Sequence, residues 1–175
     1  MRDSWREKWK LFWLQGIPLW TTLFLMFLCL IPSDSVKVNY FRPAVGLICV
    51  FYWTLKREYI FSYISAFIVG FFMDAFSSSP LGINILLMML TVFITQWIAH
   101  YFQGTTFGAG WFIFGLVGLS VFAIKWLLLS LYYRLLISPD EIIFNYLATL
   151  MFYPLIAAIN VRVQEYLPQE EGIDE

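Results

Sequence analysis

Apolar residues gather into long runs along this chain, each closed by a short polar or Gly/Pro cluster. Runs of about eighteen or more apolar residues are long enough to cross a bilayer. Read that way, the pattern predicts six helical spans, at about 11–31, 41–55, 59–76, 83–101, 111–133 and 142–161. Pro32 to Ser35 stops the first run, and Gly16 with Pro18 marks a kink within it. The second run is short, roughly 22 Å for fifteen residues at 1.5 Å each. It must extend back towards Val36 or lie where protein rather than lipid covers its ends. Lys56 to Glu58 forms the next turn, and Gln103 to Gly110 reads as a Gly/Thr loop. The last span opens on Ser138, Pro139 and Glu141, which read as N-cap, first helical residue and capping box. Pro154 predicts a kink in it.

The stretch from Gly70 to Gly82 stands out, because it begins inside an apolar run, ends in a helix-breaking cluster and carries Asp74. Upstream, Ser62, Ala66 and Gly70 recur at steps of four and lead to Asp74, so all four share one helix face. Small residues there let a neighbouring helix come close, and the stripe is expected to face another helix of the same chain. Ser79 as N-cap and Pro80 at the first helical position would open the fourth span. The stretch therefore reads as a helical hairpin with a carboxylate near its turn.

Composition agrees: 61% of residues are apolar and 13% charged, against about 25% charged in a soluble domain. The chain reads as an all-α, polytopic integral membrane protein. An interfacial segment, 1–10, precedes the membrane domain at 11–161, and an acidic tail, 162–175, follows it. In the first segment Trp5, Trp9 and Trp13 share a face among basic residues, an aromatic anchor. No cleavable signal is expected, since the first run lacks a small-residue cleavage site. Cys29 and Cys49 lie in apolar runs and read as small hydrophobes. A net charge of −1 without a basic cluster gives no reason to expect nucleic acid.

Basic residues then set the orientation. Arg2, Arg6, Lys8, Lys10, Lys56, Arg57 and Arg162 fall on one side, while Lys37, Arg42 and Arg134 fall on the other. The richer side is cytoplasmic by the positive-inside rule, so both termini are expected there and the turn after Asp74 outside.

An intramembrane carboxylate is a site hypothesis by default. Asp74 lies near the C-terminal end of its helix, where the dipole disfavours negative charge, so it needs a partner. Arg42 is on the same outer side, and a structural Asp74–Arg42 pair holding the second span against the third is expected. Lys125 lies within the fifth span at a similar depth, each about 21 Å from its inner end, and shares a face with Gly115, Gly118 and Phe122. Lys125 pairing with Asp74 and Lys125 snorkelling to the outer interface remain alternatives. Direct contact of Asp74 with a partner protein, or a ligand or proton role, is also open. His100 has no carboxylate or cysteine at ligand spacing, and no metal site is expected. No nucleophile arrangement or phosphate loop is visible, so neither catalysis nor a cofactor is expected. Asn84, Gln96, Asn145 and Asn160 read as interhelical hydrogen-bonding groups.

Phe41, Arg42 and Pro43, then Tyr52, Trp53, Arg57, Gly70, Asp74 and the run Ser79, Pro80, Leu81, Gly82 resemble the motif block of the MreD family of rod shape-determining proteins. The block covers about a quarter of the chain; elsewhere the likeness is in length and hydropathy. Ser78 stands where the family often has glycine. The resemblance implies a non-catalytic inner-membrane component of the bacterial cell-elongation machinery, with MreC as partner and, through it, MreB, RodA and the elongation transpeptidase. It also implies a six-helix architecture similar to the substrate-binding subunits of energy-coupling-factor transporters. Arg42, Pro43, Trp53, Arg57, Gly70, Asp74, Pro80, Leu81 and Gly82 are its structural or partner-binding residues, with Lys125 as a possible charge partner. The alternative function is a vitamin-binding transporter subunit. Residues 11–31 contain no alanine, and so lack the Ala-x-x-x-Ala docking motif typical of those subunits.

Overall fold

The computed structural model describes residues 3–29, 43–56, 61–77, 80–99 and 107–165, with side chains described from Gly16 in the first helix and from Gly108 in the fifth. Among these residues the elements are six helices: α1 Asp3–Cys29, α2 Val45–Lys56, α3 Tyr63–Phe76, α4 Ile83–Ala99, α5 Phe107–Tyr133 and α6 Asp140–Glu165. Two of them are long and apolar enough to cross a membrane, Gly108–Tyr133 and Asp140–Glu165. Gly16–Cys29, α2, α3 and α4 are shorter apolar helices.

α2 is the axis of the bundle and touches each of the other five helices. It is apolar on every side, so it has no face to give to water, and Val45 through Thr54 are all buried. Its twelve residues make it about 18 Å long. Protein covers it, which is why so short an element is stable here. The core around it joins Phe51, Phe114 and Tyr153 in edge-on and stacked ring contacts, with centroids 4.5–6.1 Å apart. Polar bonds tie it further: Tyr52 donates to Gln164 of α6 at 2.7 Å, and the Ala44 amide donates to Thr149 Oγ1 at 2.9 Å.

Several boundaries differ from the expected ones, for local reasons. α1 already starts at Asp3, so the interfacial segment is continuous with the first helix. α5 starts at Phe107, which puts Gly108 and Gly110 in a helix rather than a loop. Ser62 caps α3 with extended backbone and is exposed, so it does not join the packed stripe. α4 begins at Ile83, where the fourth span was expected, but Pro80 is not its first residue: Gly82 adopts φ +101°, and its carbonyl accepts the first helical bond, from Leu86 at 3.0 Å. α6 begins at Asp140, two residues before the expected span and one after Pro139, the expected first helical residue, because the Pro139 carbonyl accepts from Ile143 at 2.9 Å. Ser138 donates instead to the Asp140 carboxylate at 2.7 Å, and Glu141 makes no capping bond among the described residues.

Two helices contain an internal proline, Pro18 in α1 and Pro154 in α6. Pro154 has no N–H for the carbonyl four residues back, that of Leu150. The indole of Trp111, from α5, donates to that carbonyl at 3.1 Å. α5 ends with the Leu135 amide bonded to the Ser130 carbonyl and Arg134 at φ 54°, a six-to-one closing turn of the Schellman type.

Candidate functional site

The α3–α4 hairpin contains the closest helix approach that the glycines reveal. A Cβ at Gly70 would lie 2.5 Å from the Ile85 Cα and 2.9 Å from its nitrogen. Backbone therefore meets backbone there, and Ala66, one turn earlier on the same face, is buried. On the other side of α3, Val69 and Met73 close over Gly46 of α2.

One turn after Gly70, this approach delivers Asp74 to the start of α4. Its carboxylate accepts from the Gly82 amide (2.8 Å), the Asn84 amide (3.0 Å), the Asn84 side chain (2.9 Å) and the Ile85 amide (3.3 Å). These three backbone N–H groups belong to the first turn of α4, which has no intrahelical acceptors for them. A residue of α3 thus caps α4 across the hairpin. The negative charge sits at the positive end of α4's dipole, which offsets its poor position at the negative end of its own. Asn84 extends the network by donating to Ser77 Oγ at 3.2 Å. Asp74 and Asn84 are both almost fully buried.

Gly82 makes this geometry possible. Its φ of +101° is strained for residues with a Cβ, although nothing would touch a Cβ there. It turns its amide back onto the carboxylate. Pro80 is half-buried in the turn, and Leu81 projects outward with 79% of its surface exposed.

The remaining expected residues distribute as follows. Pro43 lies just before α2, and its carbonyl accepts from the Val45 amide at 2.9 Å. Trp53 is fully buried, and its indole nitrogen has no hydrogen-bond partner among the described residues. Arg42, Arg57, Ser79 and His100 lie outside the described residues, so the expected Asp74–Arg42 pair does too. Lys125 makes no ion pair with Asp74 among the described residues; it lines a cavity of about 500 Å³ together with Glu141 and Asn145.

Sequence reasoning weighed Arg42, Lys125, a partner protein and a ligand for Asp74, and did not name the α4 amides that the fold supplies. The available signal was spacing: the amides of an incipient helix lie eight to eleven residues downstream, within reach once the hairpin closes. Asn84, expected to bond between helices, does so with Asp74. Asn160 donates to Cys49 Sγ at 3.6 Å, joining α6 to α2. Among the described residues no cluster of His, Cys, Asp and Glu could hold a metal ion.

A family model described as rod shape-determining protein MreD matches residues 9–161. The chain belongs to the MreD family. The match takes in α2 to α5 whole and most of α1 and α6, spans the sequence from Asp74 to Gly82, and the family's role is rod shape determination. No curated protein and no solved structure matches the chain.

Proposed function

We propose that this MreD-family chain is a non-catalytic scaffold of the bacterial cell-elongation complex, binding MreC and helping to organise peptidoglycan synthesis. MreB, RodA and the elongation transpeptidase are reached indirectly through MreC. All six helices sit in the inner membrane, the four shorter ones packed with α5 and α6 in a bundle like that of energy-coupling-factor substrate-binding subunits. Both termini are cytoplasmic, as the seven-to-three division of basic residues favours.

One observation carries the non-catalytic reading. The intramembrane carboxylate, the first candidate for chemistry, has both oxygens bonded by donors of its own chain. Such a group is a structural clamp, and Leu81 on the tip of that clamp is free to meet a partner. The motif residues Arg42, Pro43, Trp53, Arg57, Gly70, Asp74, Pro80, Leu81 and Gly82 then serve to build and present this end of the bundle.

The test uses a rod-shaped host depleted of its own MreD and supplied with this chain, carrying a C-terminal reporter active only in the periplasm. Rod shape should return, MreC should co-purify with the chain, and the reporter should stay silent. Spherical cells despite membrane accumulation, or purification without MreC, would overturn the scaffold reading. An active reporter would overturn the orientation.

A further inference from the structure

The short length of α2 has a geometric result at the end of the bundle that carries the α3–α4 turn. α5 and α6 contain 27 and 26 residues, about 40 Å each, against about 18 Å for α2. Above the start of α2 the surrounding helices frame the cavity of about 500 Å³ that Lys125 lines. That volume is within the range of small-molecule sites.

Its lining is chemically divided. Met26, Met73 and Phe122 supply apolar wall, whereas Lys125, Glu141 and Asn145 supply polar groups. The first turn of α2, with Val45 and Gly46, forms part of the wall. The Ala44 and Val45 amides at this end are already bonded, to Thr149 Oγ1 and the Pro43 carbonyl, so the α2 N-terminus contributes chiefly the partial positive charge of its dipole. Lys125 adds a full positive charge, and it forms no ion pair among the described residues. Asp74 cannot take that place, since the α4 amides occupy its oxygens. A cation held among apolar helices without a direct partner among the described residues is costly, and a ligand anion would offset that cost. Glu141, in the first turn of α6, offers the opposite charge on the same cavity.

We propose that this cavity binds a zwitterion: an anionic group against Lys125 and the α2 N-terminus, an ammonium group against Glu141, and an apolar portion along the Met and Phe wall. The ligand is either the head group of an aminophospholipid or a free small zwitterion of the same chemistry. The inference rests on the membrane reading but not on the scaffold role, so failure of ligand binding leaves the shape phenotype untouched.

The test is made on the full chain purified in detergent, using native mass spectrometry and thermal unfolding. The probes are phosphatidylethanolamine, phosphatidylglycerol of the same acyl chains, and soluble glycerophosphoethanolamine. Wild-type protein should retain phosphatidylethanolamine in preference to phosphatidylglycerol and melt at higher temperature with it. Lys125→Met should lower that retention about tenfold or more, as expected when a charge-assisted bond is lost. Glu141→Gln should abolish the preference between the two lipids. Both variants should fold, one because it removes a charge from the bundle interior, the other because Glu141 is exposed. Binding of glycerophosphoethanolamine as tight as that of the lipid would identify a free zwitterion as the ligand. Equal retention of every lipid by wild type and Lys125→Met, with no melting shift from any probe, would overturn the proposal.

Discussion

The α3–α4 and α5–α6 pairs are both antiparallel helical hairpins with small residues at helical spacing, Ala66 and Gly70 in the first and Gly115 and Gly118 in the second, yet they are held together in opposite ways. In α3–α4 the backbones touch at Gly70 and a buried carboxylate stitches one helix to the other's first turn. In α5–α6 the glycines do not meet backbone. Gly115 and Gly118 face the side chains of Tyr146 and Leu150, and aromatic donors reach across: Tyr146 to the Gly115 carbonyl at 3.0 Å, Trp111 to the Leu150 carbonyl at 3.1 Å, and Trp126 to the Ile137 carbonyl at 2.9 Å. Between these props lie two grooves of about 520 and 210 Å³. A glycine stripe therefore reports close approach only where the facing helix brings backbone to it.

The largest break in this contrast should come from Gly70→Leu. With the Ile85 Cα 2.5 Å from the first added atom, the hairpin must open and carry Asp74 away from the α4 amides. Overpacking alone costs about 1–3 kcal/mol, and loss of the cap adds to it. Folded protein in the membrane should fall severely, measured as monodisperse protein recovered in detergent. Normal recovery would mean that α3 and α4 are not in backbone contact.

Asp74→Ala should come next. It leaves three α4 amides and the Asn84 side chain without this acceptor, at a site where Asp74 and Asn84 are almost fully buried. An unsatisfied buried donor costs about 1–3 kcal/mol, and the four share one network, so about 3 kcal/mol in total is expected rather than a simple sum. Asp74→Asn keeps an acceptor oxygen but loses the charge at the α4 dipole, so its loss should be smaller, about 1–2 kcal/mol. Thermal unfolding of the purified variants should therefore rank wild type above Asn above Ala. Equal melting temperatures for all three would remove the carboxylate from the list of things that hold this turn.

Much of this hairpin was legible in the chain. The stripe Ala66, Gly70, Asp74 has helical spacing, and a carboxylate near a helix C-terminus announces that it needs a partner. The partner was not legible, because backbone amides carry no mark in a sequence; they become donors only when Gly82 turns positive in φ. The same turn keeps Pro80 outside the helix, which begins at Ile83. Ser62 fits the stripe by spacing but caps the helix, and a cap faces outward. In α5–α6 the position of Pro154 was legible as a break. That a tryptophan 39 residues away would satisfy the freed carbonyl follows only from how the two helices sit side by side. The charged cavity was hidden for a related reason. Lys125 and Glu141 are far apart in sequence and read as a span residue and a capping residue, until the shortness of α2 leaves space between them.

Gly115→Ala should have the smallest effect, and it sharpens the comparison most cleanly because it adds only a methyl group. The new Cβ would meet Leu150 Cδ1 at 3.5 Å and the Tyr146 hydroxyl at 3.8 Å, ordinary contacts with the ends of movable side chains. Alanine is also favoured over glycine in a helix interior by about 1 kcal/mol. The Tyr146 bond to the residue 115 carbonyl uses backbone that the substitution leaves in place. The variant should therefore melt at or slightly above the wild-type temperature, whereas Gly70→Ala, the same methyl on the other hairpin, should melt well below it. If Gly115→Ala destabilises as much as Gly70→Ala, α5 and α6 approach each other as closely as α3 and α4 do, and the distinction between backbone contact and aromatic props disappears.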